Sequence, residues 1–159
     1  MLDPVPIPIQ EAVRDFFTDL LGRGAAASKR PPLDYDEDPL VVGRYLDDDG
    51  ELAALVVSDL AFAAISGAAL AMIPKVVVDE AIKRGQLSDT LVENFREVVN
   101  VFSSLLNTPT TPHLVLKGLG RHPEETADLR EVLTSPSRQR TFDVTIEGYG
   151  SGCLGVLVR

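Results

Sequence analysis

In a chain of 159 residues with two histidines and one cysteine, few side chains stand where their types and spacing suit them to chemistry. Glu97 and Asn100 are the pair that does. They fall in the segment Asp89 to Leu106, where Leu91, Val92, Phe95, Val98, Val99, Phe102, Leu105 and Leu106 share one helical face and Glu93, Glu97, Asn100 and Ser104 line the other. Residues three apart on a helix are neighbours at about 5–6 Å between Cβ atoms, so Glu97 and Asn100 act as one surface feature. Asn is a poor choice in mid-helix because its amide competes with the backbone. An exposed carboxamide both donates to and accepts from a water, so Asn100 can orient a hydrolytic water without being a base, and Glu97 can pair with a partner's Lys or Arg. Glu, Asn and Ser also occur on any solvated helix face, and the ridge alone leaves that reading open.

Other candidates fail on context. Gly150-Ser151-Gly152-Cys153-Leu154-Gly155 matches GxGxxG, but a dinucleotide site needs that motif to open a helix, and only four residues follow Gly155. Its glycines suit a hairpin turn and a closely packed strand. His113 and His122 lack partners at zinc-ligand spacing. Asp47-Asp48-Asp49-Gly50 departs from a calcium loop, which wants alternate acids and finds Tyr45 at the first ligand position. No Walker lysine pattern and no GxSxG elbow are present. Cys153 has no second Cys to pair with and reads as a small buried hydrophobe in a reducing compartment.

The elements that must position the ridge follow from periodicity and punctuation. A Pro-rich leader precedes a helix over Ile9 to Leu21, closed at Gly22. Residues 23–39, with acids at Asp34, Asp36, Glu37 and Asp38, read as an exposed loop. Leu40–Leu46 and Glu51–Val57 form a hairpin around Asp49-Gly50. Ser58-Asp59 caps an apolar helix from Leu60 to about Met72, ended by Pro74. Asp79–Arg84 is a short helix, followed by the ridge helix behind Ser88, a strand over His113–Leu119, a short helix within Pro123–Leu133, and strands over Thr141–Glu147 and Cys153–Val158. Hairpins at both ends imply an α+β fold, an antiparallel sheet packed with helices, the long amphipathic helix carrying the Glu97/Asn100 pair. Residues 1–159 are expected to be one domain.

Charge limits the partners. The net charge is −9, of which residues 1–60 carry −8 and residues 61–159 only −1. That balance opposes nucleic-acid or anionic-membrane binding by counterion release. Leu60 to Pro74 is uncharged but shorter than the roughly 20 residues a membrane span needs, and the N-terminus lacks a signal-peptide pattern. A cytoplasmic protein is expected.

The element order and the residues Glu97-Val98-Val99-Asn100 together resemble the CheC/CheX/FliY group of chemotaxis phosphatases. Their signature places Asp or Ser four residues before the Glu and a Pro after twenty-two residues beyond the Asn. Here Glu97, Asn100 and Pro123 fit and Glu93 departs at the first position. The resemblance implies a single-site, CheX-like phosphatase acting on the phosphoaspartate of a CheY-like response regulator receiver domain, Asn100 positioning the water and Glu97 pairing with the receiver's lysine. It implies no cofactor of the chain's own, Mg²⁺ being the receiver's, and a possible homodimer. The departure at Glu93 keeps open a catalytically inactive signalling or dimerisation module on the same fold. A third reading, of another class, is a small-molecule binder with its pocket beneath the Gly-rich hairpin.

Overall fold

The computed structural model describes residues 2–36 and 39–159, so Glu37 and Asp38 of the acidic segment lie outside the described residues. Helix α1 (Gln10–Leu21) ends at Gly22, whose φ of 67° is the left-handed conformation that glycine adopts without a Cβ clash. Strand β1 (Ala25–Arg30) follows, then β2 (Leu40–Leu46) and β3 (Leu52–Asp59), joined by the expected turn. In that turn the Asp47 carboxylate accepts from the backbone N–H groups of Asp49 and Glu51, and Gly50 takes φ 77°. The side chain that most suggested calcium is therefore spent on turn geometry. Helices α2 (Leu60–Leu70), α3 (Lys75–Arg84) and α4 (Asp89–Phe102), strand β4 (Val115–His122), helix α5 (Arg130–Thr134), and strands β5 (Arg138–Ile146) and β6 (Gly150–Val158) complete the order.

The six strands form one antiparallel sheet in the order β1-β5-β6-β3-β2-β4. The fold is α+β, as expected. Its large core lies between the sheet and helices α1, α2 and α4, where Phe17, Tyr45, Val56, Phe62, Phe95 and Phe102 are fully covered. A smaller cluster covers the opposite face: Leu40, Val42, Leu55, Val57 and Leu157 pack against Leu129 and Leu133. The central strands are buried on both faces, which is why β2 and β3 are nearly continuous runs of Val and Leu rather than alternating patterns.

Three sequence expectations are corrected. Residues 25–30 are not loop but an edge strand, in register with β5 from Ala25↔Ile146 to Arg30↔Thr141. Ala-Ala-Ala-Ser-Lys-Arg carries no β-branched or aromatic residue, so propensity hides a strand that pairing to β5 creates. Helix α3 starts at Lys75 rather than Asp79, with Pro74 standing immediately before it and the Lys75 ammonium 2.9 Å from the Asp79 carboxylate one turn on. The run Val76-Val77-Val78 argues against helix on χ1 stiffness alone, and the pre-set start and the ion pair override it. In β4 and the segment after it the boundaries shift: the strand runs to His122, and the following helix is a single 3₁₀ turn over Ala127–Leu129 leading into α5.

Among the described residues, the last hairpin packs directly against the start of α2. A Cβ on Gly152 would stand 2.6 Å from the backbone nitrogen and the Cβ of Phe62, so the glycine is what allows β6 to lie against the start of α2. At Gly152 the space under the hairpin that the small-molecule reading invokes is taken by Phe62. Gly152→Ala is expected to lower stability by about 1–3 kcal/mol, through overpacking against backbone that cannot give way. Urea unfolding monitored by circular dichroism checks this, and a loss below about 0.5 kcal/mol, the range of ordinary surface changes, would contradict the packing described.

Candidate functional site

Helix α4 is fixed from behind by contacts that decide which of its residues face outward. Ser88 caps its start, accepting from the Leu91 N–H at 3.2 Å. Against α2 the two backbones come unusually close: a Cβ on Gly67 would lie 2.9 Å from the Leu91 carbonyl oxygen, and the Asn94 side chain donates to the Gly67 carbonyl at 3.0 Å. Against the sheet, Gly43 of β2 makes room for the Val99 side chain, which would sit 2.8 Å from a Cβ there. The Tyr45 hydroxyl, fully buried, donates to the Val99 carbonyl. The last turn tightens, the Ser103 N–H going to the Asn100 carbonyl, so Tyr45 serves a carbonyl next to Asn100 in the chain. Burial pushes the Tyr45 phenol far up from its ordinary value, which keeps it a neutral donor.

With Leu91, Phe95, Val98, Val99 and Phe102 buried, rotation about the helix axis leaves Glu93, Glu97, Asn100 and Ser104 exposed, as the sequence predicts. Neither the Glu97 nor the Asn100 side chain has a hydrogen-bond or ion-pair partner among the described residues; only the Asn100 backbone carbonyl is engaged, by the Ser103 hydroxyl at 2.7 Å. Two shallow grooves flank the ridge. One is lined by Asp89, Val92 and Arg96 of α4 together with Arg121, His122 and Glu124. Neither Glu97, Asn100 nor Pro123 lines that groove; Pro123 lines another, with Tyr35, Thr126, Arg130 and Leu133, away from the ridge residues. The other groove runs between α1 and the C-terminal half of α4.

The remaining chemistry-bearing residues are dispersed. His122 contacts the Thr126 hydroxyl and, at 2.7 Å, the Tyr35 carbonyl oxygen, which ties the segment after β1 to the end of β4. His113 lies 3.8 Å from Asp48 at the hairpin turn. Cys153 is buried, as expected for a small hydrophobe, but it is also hydrogen-bonded: its S–H donates to Asp143 at 3.2 Å, and Arg30 stands 2.8 Å from the sulfur. Burial pushes the thiol up to about 12, with the Asp143 hydrogen bond and the Asp59 charge adding and Arg30 opposing. Asn94 and Tyr45, which hold α4 in place, escaped the sequence reading. A second mid-helix Asn in α4 was the available signal for the first; nothing in the sequence marks a tyrosine in a Val-rich strand as a helix anchor.

This arrangement defines an α+β protein that presents a polar pair on a rigid outer helix. No protein-family model matches the chain, and no curated protein sequence matches it significantly. Among solved structures, Thermotoga maritima FliY aligns with a TM-score of 0.55 at 13% identity, over 91% of this chain and 81% of that one. The FliM middle domain of Vibrio alginolyticus aligns at 0.46 and 13% identity, over 94% and 88%. The Borrelia burgdorferi CheX in a CheX-CheY-BeF₃-Mg²⁺ complex aligns at 0.40 and 8% identity, over 91% of each chain. The chain has the FliY fold, and its resemblance to the CheC/CheX/FliY group holds as a likeness of fold.

Two outcomes follow from these environments. Asn100→Ala is expected to leave the fold intact and raise stability by up to about 0.5 kcal/mol, since an exposed mid-helix Asn contributes less than Ala. A loss above about 1 kcal/mol in urea unfolding would mean the side chain is held by the fold after all. Cys153 is expected to react with iodoacetamide at pH 8 at least about tenfold more slowly than free cysteine, because the thiolate is the nucleophile and burial suppresses it. Alkylation at the free-cysteine rate, followed by mass spectrometry, would contradict the buried thiol.

Proposed function

We propose that the chain is a single-site, CheX-like phosphatase that hydrolyses the phosphoaspartate of a CheY-like response regulator. The observation that carries the reading is the Glu97/Asn100 pair: exposed, without partners in the described chain, and mounted on a helix whose other face is locked by Gly67, Asn94 and Tyr45. Orienting a water demands a donor and acceptor held in place before the substrate arrives, and a carboxamide on a packed helix meets that demand. In the proposed step the water oxygen bonds to phosphorus as the phosphorus–oxygen bond to the aspartyl carboxylate breaks. Inorganic phosphate takes the water's proton and the carboxylate is released. Asn100 aligns the water and Glu97 pairs with the receiver's lysine. The chain supplies no cofactor, since the receiver carries its own Mg²⁺, and it acts as one CheX-like domain, alone or as a homodimer.

A second reading is favoured by one residue. Glu93 stands where the group's signature has Asp or Ser, which fits a catalytically inactive module on the same fold that docks a signalling partner. The experiment that separates the two is loss of label from a phosphorylated receiver domain with the chain added, wild type beside Asn100→Ala. Acceleration by the wild type is expected, reduced at least about tenfold in Asn100→Ala, as loss of a water-positioning group implies. No acceleration over the receiver alone rejects the phosphatase, and acceleration unchanged by Asn100→Ala rejects the residue assignment.

A further inference from the structure

Helix α1 approaches the C-terminal half of α4 through edge-to-face contact of Phe16 with Phe102, their ring centroids 5.2 Å apart. The two helices leave between them a groove of about 530 Å³. Its floor is apolar: Ala12, Phe16 and Leu20 succeed one another at one-turn spacing on α1, facing Val101 and Leu105 beyond. Each is only partly covered. Apolar residues at helical spacing, partly exposed along one open trough, match the floor that an amphipathic helix lays its apolar face upon.

The rims give the sign of the occupant. Asp15 and Asp19 line the α1 side, and Glu11 continues the same line one turn earlier, all three exposed. On the α4 side Ser104 lines the groove, with Asn100 and Glu97 on the turns before it. Arg14 neutralises Asp15 at 2.9 Å; Glu11, Asp19 and Glu97 have no ion-pair partner among the described residues. The α1 wall therefore presents carboxylates over an apolar floor, Asp15 shared with Arg14 and Asp19 without an ion pair among the described residues, while the polar residue of the facing wall is Ser104. A helix with Lys or Arg flanking an apolar stripe is complementary to the α1 wall, and such charge complementarity fixes register and speeds association. A second copy of this chain is the poorer occupant, since two molecules of net charge −9 repel.

We propose that the groove between α1 and α4 docks a helix of a partner protein, its apolar stripe on Phe16, Leu20, Val101 and Leu105 and its flanking Lys and Arg against Asp15 and Asp19. The proposal deepens the functional reading and rests on it for one point, that the docked partner is the receiver and thereby brings its acyl phosphate over Asn100. Ser104 belongs to both groove and ridge, so the docking surface and the reactive pair are one continuous face. The acidity of α1, remote in sequence from Glu97, then acquires a role at the site.

The test uses the full chain and a synthetic, end-blocked, eighteen-residue helical peptide with a Leu stripe flanked by Lys. One control peptide has Lys replaced by Glu, and another keeps the composition but disperses the Leu residues. Binding is read by fluorescence anisotropy and located by backbone amide shifts of the ¹⁵N-labelled chain. The Lys-flanked peptide is expected to bind with shifts centred on Ala12–Leu20 and Val101–Leu105, and both controls at least about tenfold more weakly. Asp15→Lys with Asp19→Lys is expected to weaken binding at least about tenfold, while the equal charge reversal Asp48→Lys with Asp49→Lys on the hairpin turn changes it less than about threefold. Circular dichroism and urea unfolding of each double variant confirm that it is folded. Equal binding of the dispersed peptide, equal losses in the two double variants, or shifts elsewhere would overturn the groove. So would sedimentation showing a dimer of the chain that the peptide displaces from the same residues. Phosphatase activity does not enter these readouts: peptide binding with an inactive chain leaves the groove standing and rejects the reaction, and the converse result rejects the groove alone.

Discussion

The close approach of α2 and α4 at Gly67 is the contact on which the site's geometry depends. Two helices whose axes lie at ordinary distance are separated by side chains, but here the Leu91 carbonyl comes within 2.9 Å of where a Cβ on Gly67 would be. Asn94 then spends its amide on the Gly67 carbonyl, a hydrogen bond that registers one helix along the other. Helix α2 can accept this because it is buried almost all round, from Phe62 to Ala69. It is the axle of the helical layer: capped by Asp59, pressed at its start by Gly152 of β6, and carrying α4 on its far side. The Asp59 carboxylate ties these together, accepting from the Phe62 N–H at 2.8 Å and from the Cys153 N–H at 3.1 Å. Removing any of these small residues would not touch Glu97 or Asn100 and would still move them.

That rigidity matters because positioning is the whole of the proposed catalysis. A group that aligns a water contributes through entropy already lost on folding, so its value falls with every rotation its backbone can make. Asn100 sits one residue from Val99, whose side chain is accommodated by Gly43 and whose carbonyl is held by Tyr45. The sheet fixes the helix on one side and α2 on another, leaving the outer face as the free one.

Much of this was legible in the sequence, and what was not has physical reasons. The pattern of α4 is strong enough that its buried and exposed faces could be assigned residue by residue, and all four ridge positions proved exposed. The hairpin β2–β3 was equally plain from Val-rich runs around Asp-Gly, because local turn chemistry and burial on both faces agree. Strand β1 was illegible because Ala25–Arg30 is a strand only by virtue of its partner, a long-range fact that no local window contains. The groove was invisible for a related reason: Phe16 and Leu20 read as ordinary core residues of α1, and only the spacing between α1 and α4 leaves them partly exposed. The Glu97/Asn100 pair was found as residues, while the contacts that hold it still, Gly67 and Tyr45, belong to elements that the chain brings in from elsewhere.

Glu93 can be weighed in the same terms. It stands one turn before Glu97 on the exposed face, and like charges at that spacing cost a helix about 0.2–0.5 kcal/mol. Neither glutamate has a counter-ion among the described residues. A helix needing only stability would relieve that repulsion with a Lys at either place, since both positions are exposed. The pair keeps the exposed face of α4 anionic where the chain after residue 60 is otherwise close to neutral, and Glu11 and Asp19 carry the acidity of the first sixty residues onto the neighbouring α1. Under the proposed docking, a cation on the partner would remove the repulsion on binding, so the strain held in the free helix would become affinity in the complex. On that argument the departure at Glu93 bears on how a partner is held and less on whether Asn100 can align a water.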